Sequence, residues 1–231
     1  MAKKKVFIGV GHGGKDPGAV GYVVEKNANL KMALACRDLL EDAGVQVLMS
    51  RTVDESETLN QKVQECNSFH PDLCIDVHNN AGGGDGFEVY HSVKGGTGKT
   101  LAKNIEAEVK AIKQNSRGCK TRKNSSGSDY FAFIRNTLAP AVILEGAFVD
   151  TKADAQQIDT DAECRAFGYA YAKGILKTLG IEYKPIQEAE CQLETKENKL
   201  YRVQLGAFKD KANADKLAKE LKAKGYDTYI A

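Results

Sequence analysis

The sequence predicts an α/β protein built on a mostly parallel sheet. Two observations carry this. Short apolar runs of strand length, VFI at 6–8, VQVLM at 45–49, LCIDVH at 73–78 and AVILE at 141–145, alternate with helical segments of ten residues or more. That alternation is the pattern of a layered sheet joined by crossover helices. The helical segments place apolar residues at helical spacing, as at Leu101, Ile105, Val109 and Ile112. A chain of 231 residues is long enough for one sizeable core and a small appendage.

In order, 4–10 reads as the first strand and 11–26 as a glycine-rich loop closed by the turn residues Asp16-Pro17-Gly18. A helix over 27–43 follows, with Leu30, Leu34, Leu39 and Leu40 on its apolar face and Gly44 as its stop. Then come a strand at 45–49, a helix at 56–69 and a strand at 73–78. Gly82-Gly83-Gly84 reads as a connector before an alternating strand at 86–91 and a helix at 98–113. The polar stretch 116–128 reads as a loop, 129–135 as a short strand, 141–145 as a buried strand and 162–179 as the closing helix. From 181 to 199 the chain is glutamate-rich and without periodicity, as a linker is. Residues 200–231 return to a β-α-β pattern: a strand at 200–208, a helix at 210–224 and a strand at 226–230. That unit is short for independent stability.

Composition narrows the function. A net charge of +2 and the absence of Trp give nucleic-acid binding no support. No run of eighteen apolar residues occurs, so no membrane span is expected. Three lysines at 3–5 precede an apolar run of only about five residues, too short for a cleavable signal. The expectation is synthesis in the cytoplasm without a signal peptide. The six cysteines (36, 66, 74, 119, 164, 191) form no CxxC pair and read as reduced, buried thiols.

The chemistry gathers at strand ends. His12, His78 and Glu145 lie at or just past the C-terminal ends of predicted parallel strands, which share one edge of the sheet. Catalytic zinc takes three protein ligands, commonly two His and a carboxylate, and leaves one position open. His12, His78 and Glu25 make such a set, although Glu25 by itself reads as a surface loop carboxylate. Glu145 ends an apolar strand, where a carboxylate is costly without a partner or a task, and general base is the task that fits. His70 and His91 read as surface residues. Gly9-x-Gly11-x-x-Gly14 lacks the following helix of a dinucleotide site. Gly98-Lys99-Thr100 lacks the first P-loop glycine, because residue 93 is Val93.

The segments GHGGKDPGA, Glu25, SRTVD (50–54), DVHNNA (76–81), GFEVY and AVILEGAFVD (141–150) together resemble the zinc-dependent N-acetylmuramoyl-L-alanine amidases of the amidase-3 type. The resemblance spans about 4–180. It implies a six-stranded sheet flanked by helices, one Zn2+ per chain on His12, Glu25 and His78, and Glu145 as the catalytic glutamate. The implied reaction is hydrolysis of the amide between N-acetylmuramic acid and L-alanine of the peptidoglycan stem peptide. Asp76 stands where the family usually has Ser, Lys62 where it has Arg, and Asp150 where it has Asn. Asp76, Asn80 and Arg135 are candidates for supporting the ligands or touching substrate. No occluding helical insert is present, so an open site is expected. The tail, YRVQLGAF and ADKLAKELKAKGY, resembles the first half of a SPOR peptidoglycan-binding domain. The implied domains are a catalytic unit over 1–180, a linker over 181–199 and a partial SPOR-like unit over 200–231, with a homodimer paired through the tails as one arrangement. The enzyme would act on the wall after release or lysis, as a phage-type endolysin or a mother-cell autolysin. A non-catalytic peptidoglycan-binding protein and a zinc peptidase cutting within the stem peptide are the alternatives. The basic stretch 117–123 reads as a solvated loop.

Overall fold

Six strands form one sheet: β1 (Lys5–Val10), β2 (Gln46–Met49), β3 (Leu73–Asn80), β4 (Phe87–His91), β5 (Ser116–Lys120) and β6 (Ala141–Phe148). Their spatial order in the computed structural model is β2-β1-β3-β6-β4-β5. All neighbours run parallel except β4 and β6, which are antiparallel. The structure describes residues 3–183 and 211–223. The chain forms two compact units, 1–184 and 185–231.

Helices α1 (Glu25–Asp42), α3 (Gly96–Ala111) and α6 (Asp161–Leu179) cover one face of the sheet. Their apolar stripes meet the inward residues of every long strand, among them Ile8, Ile75, Val89 and Leu144. Helices α2 (Leu59–Phe69) and α4 (Ala132–Asn136) cover part of the other face, over Phe7, Cys74 and Ile143. Side chains alternate along a strand. Asp76 and His78 therefore share the Cys74 face, and Glu145 shares the Ile143 face.

The predicted architecture holds, with corrections. Residues 116–120 are a strand, not a loop. β5 is an edge strand with one neighbour and the sequence SRGCK, so no apolar alternation announces it. Residues 129–135, aromatic-rich and read as a strand, instead lead into α4, whose Phe133 and Ile134 pack onto the sheet. α1 begins at Glu25, so Glu25 is helical rather than in the loop. α2 begins at Leu59, behind a Thr58–Gln61 capping box. β3 and β6 run on to Asn80 and Phe148, which places His78 and Glu145 inside their strands. His91, expected at the surface, is buried. The structure adds a short helix, α5 (Lys152–Ala155).

Cys36, Cys66, Cys74 and Cys164 are buried free thiols, and Cys119 is half-buried. In the second unit α7 (Lys211–Ala223) matches the predicted helix. The linker and the two tail strands lie outside the described residues. Among the described residues no helix is long and apolar enough to cross a membrane.

Candidate active site

Three segments meet at the C-terminal edge of the sheet. The chain leaves β1 and turns at His12, whose φ of 59° lies in the left-handed region. Non-glycine residues held there are strained, and such strain clusters at functional sites. The loop is pinned from several sides. Asp16 Oδ2 lies 2.8 Å from His12 Nδ1, and Asp16 Oδ1 accepts from the Gly18 N–H at 3.0 Å. Arg51, only 2% exposed, donates to the carbonyls of Gly11, Lys26 and Val53. Two glycines give the imidazoles room. A Cβ on Gly11 would collide with the His78 ring, and one on Gly18 with His12 and the Glu25 carboxylate.

Glu25, the first residue of α1, is 4% exposed. A buried carboxylate needs partners, and it has them. Oε2 accepts from the Ala19 N–H at 2.8 Å and Oε1 from the Asn79 N–H at 3.1 Å. The positive end of the α1 dipole adds to this. Asn29 and Asn79 form the strut behind it: Asn79 Nδ2 donates to Asn29 Oδ1 at 2.8 Å, and Asn79 Oδ1 accepts from the Ala147 N–H at 3.0 Å.

His12 Nε2 lies 3.2 Å, and His78 Nδ1 3.1 Å, from the same oxygen, Glu25 Oε1. One donor atom from each of the three residues falls within 4.8 Å of the others. Tetrahedral zinc with bonds near 2.0–2.2 Å holds its ligands about 3.4 Å apart. The donor set, two nitrogens and one oxygen, fits that ion in chemistry and in spacing.

The electrostatics favour positive charge at this point. Glu25 sits far below the usual carboxylate range, because the two imidazoles outweigh the effect of its burial. His12 is raised by the Glu25 hydrogen bond, against its burial. His78 rises to about 10, as Asp76, Glu25 and Glu145 overcome burial. Asp76 lies behind His78, with Oδ2 3.6 Å from Nε2. Its burial would raise it, but Lys62, with Nζ 2.9 Å from Oδ1, and His78 hold it well below the usual range. Lys62 also donates to the Val10 carbonyl.

Glu145 pairs in register with His78 across β3 and β6. Burial pushes it up to about 7 against the pull of His78, and Glu25, Glu88 and Asp76 add to the rise. A cavity of about 330 Å³ opens beside the cluster, with His12, Asp76 and His78 at its polar end and Phe131, Phe133 and Ile143 on its apolar wall.

The structure brings together His12, Glu25 and His78, with Glu145 and Asp76 against His78. Among the described residues, neither Asn80 nor Arg135 hydrogen-bonds to the cluster. The Asn80 side chain accepts from the Ala81 N–H, and Arg135 donates to the carbonyls of Asp129 and Tyr130. Asp16, Asn29, Arg51 and Asn79 also support the cluster, a role the sequence alone does not mark. Asp16 reads in the sequence only as a turn residue, and Asn79 is adjacent to the candidate Asn80.

Residues 6–177 match the family described as N-acetylmuramoyl-L-alanine amidase, and residues 197–231 match the SPOR domain. The sporulation-specific N-acetylmuramoyl-L-alanine amidase of Bacillus subtilis is 36% identical over 231 residues, covering 98% of this chain and 84% of that protein. Among solved structures, Cwp6 from Clostridium difficile superposes with a TM-score of 0.76 at 36% identity, over 77% of this chain and 30% of that one. The catalytic domain of CwlV, an amidase from Bacillus (Paenibacillus) polymyxa, superposes with a TM-score of 0.70 at 27% identity, over 78% of this chain and 99% of that one.

Proposed function

The chain belongs to the N-acetylmuramoyl-L-alanine amidase family, and we propose that His12, Glu25 and His78 hold one zinc ion beside Glu145, the general base. It is a peptidoglycan hydrolase that opens the amide between N-acetylmuramic acid and L-alanine of the stem peptide. The convergence of two imidazole nitrogens on one Glu25 oxygen carries the metal assignment.

A zinc ion in this cradle supplies Lewis acidity, enough to make water a nucleophile near neutral pH. The residues of the chain do the rest. Glu145 takes the proton of the attacking water on its carboxylate and delivers it to the leaving nitrogen of L-alanine. Burial raises Glu145 in the metal-free protein, and a carboxylate so placed can both take and release a proton. Asp16 and Asp76 orient the imidazoles. Each ring turns one nitrogen to Glu25 and the other toward a carboxylate, which fixes ring and tautomer. Lys62 holds Asp76 in place. Arg135 acts on the shape of the cleft, by holding the segment that carries Phe131.

The SPOR match supports binding of the tail to peptidoglycan, and the cell wall is the place of action in this reading. Tails pairing in a homodimer complete it. A dimer that persists in light scattering after deletion of 182–231 would count against that pairing.

The test of the bond is end-group analysis of digested, purified peptidoglycan. New L-alanine amino termini appear with the wild type and are lost in Glu145→Ala. Other termini would mean a peptidase within the stem peptide, and none at all from a zinc-loaded protein would mean a binding protein.

A further inference from the structure

A row of charged side chains crosses the sheet on the face that carries His78. Register pairs His78 with Glu145 and Glu145 with Glu88. Opposed residues on antiparallel neighbours such as β6 and β4 have Cβ atoms about 4.5–5.5 Å apart. Glu88 is 4% exposed and well partnered. Its Oε1 accepts from Arg117 Nε at 2.5 Å and Lys120 Nζ at 2.6 Å, and its Oε2 from the Tyr90 hydroxyl at 2.9 Å.

Both cations come from β5, the edge strand. Both reach the same oxygen, Glu88 Oε1. The Arg117 side chain is 44% exposed and Lys120 31%. Arg117 engages Glu88 through Nε alone, and among the described residues its two Nη nitrogens have no hydrogen-bond partner. The guanidinium carbon lies 5.4 Å from the centre of the Phe148 ring. A second cation–aromatic pair, Arg122 over Tyr130 at 3.7 Å, follows on the same segment. The metal cradle thus lies on one side of Glu145, and a braced, part-exposed pair of cations lies on the other.

In the amidase reading, on which this inference rests, the scissile amide sits between the cradle and Glu145, and the stem peptide extends beyond it. We propose that Arg117 and Lys120, braced by Glu88, bind a carboxylate of the stem peptide on the far side of Glu145 from the metal. Arg117 and Lys120 are then specificity residues, and Glu88 is a positioning residue.

The test uses the full-length, zinc-loaded protein and two synthetic muropeptides. They differ only in the acidic residue after L-alanine, which carries a free carboxylate in one and a primary amide in the other. The readout is the ratio of kcat/KM for carboxylate over amide, taken within each variant so that losses of folded protein cancel. The wild type is expected to favour the carboxylate about tenfold, mainly in KM. Arg117→Gln and Lys120→Gln bring the ratio toward one, and Arg117→Lys keeps part of it. A wild type that cleaves both substrates equally overturns the subsite alone. So does a wild-type ratio that persists in Arg117→Gln or, if that variant does not fold, in Lys120→Gln. A wild type that releases L-alanine termini from neither substrate overturns the amidase reading, and the subsite with it.

Discussion

Replacing Glu145 by Gln keeps the shape of the side chain and removes its charge. Glu145 ordinarily ionises near 4.5, and its surroundings hold it at about 7. The folded protein therefore binds more protons than the unfolded chain between these values, and stability falls as pH rises through that window. A displacement of that size corresponds to about 3.4 kcal/mol at 1.36 kcal/mol per pH unit. Solvent in the open cleft screens part of it, and we expect about 2 kcal/mol. The assay is urea unfolding of the metal-free wild type and Glu145→Gln from about pH 4 to about pH 8. The two should match at the acid end, where both side chains are neutral. The variant should gain from about pH 4.5 upward and level off about 2 kcal/mol more stable above pH 7. It should also lose hydrolysis. A difference independent of pH, or one favouring the wild type at about pH 8, would refute the claim that this carboxylate is held against its ionisation.

Other expectations follow from named contacts. Asp16→Asn weakens the hold on His12 and should lower zinc affinity about 10- to 100-fold in a chelator competition. Asp154 accepts from the Gly86 N–H, the Phe148 N–H and Gln114 Nε2, which ties β4 to the end of β6. Asp154→Ala strands those donors and should cost about 3 kcal/mol in denaturant unfolding. Gly11→Ala puts a methyl group into the His78 ring and should abolish stoichiometric zinc binding, measured by metal analysis of the purified protein, while the far-UV circular dichroism stays that of an α/β fold.

Much of the sheet was legible because β1, β3 and β6 are buried parallel strands, which read as nearly continuous apolar runs. β5 was not, because what holds it is pairing with β4 and a clamp on Glu88, neither visible along SRGCK. α4 was misread for the opposite reason: its aromatic residues have strand propensity, and packing on the sheet overrides it. His12, His78 and Glu145 stood out by their position near strand ends. Glu25 did not, since its burial arises only when α1 folds back behind the loop; the family resemblance supplied it. Asn79 is not separable from Asn80 in the sequence, because alternation along β3 turns Asn79 toward α1, a direction that depends on how far the strand extends.

The most direct measurement is diffraction from crystals of the zinc-loaded protein at the zinc absorption edge. The account predicts one anomalous peak per chain, about 2.0–2.2 Å from His12 Nε2, His78 Nδ1 and a Glu25 carboxylate oxygen, on the Glu145 side of the cluster. A peak elsewhere, or one bound by Asp76 in place of Glu25, would contradict it.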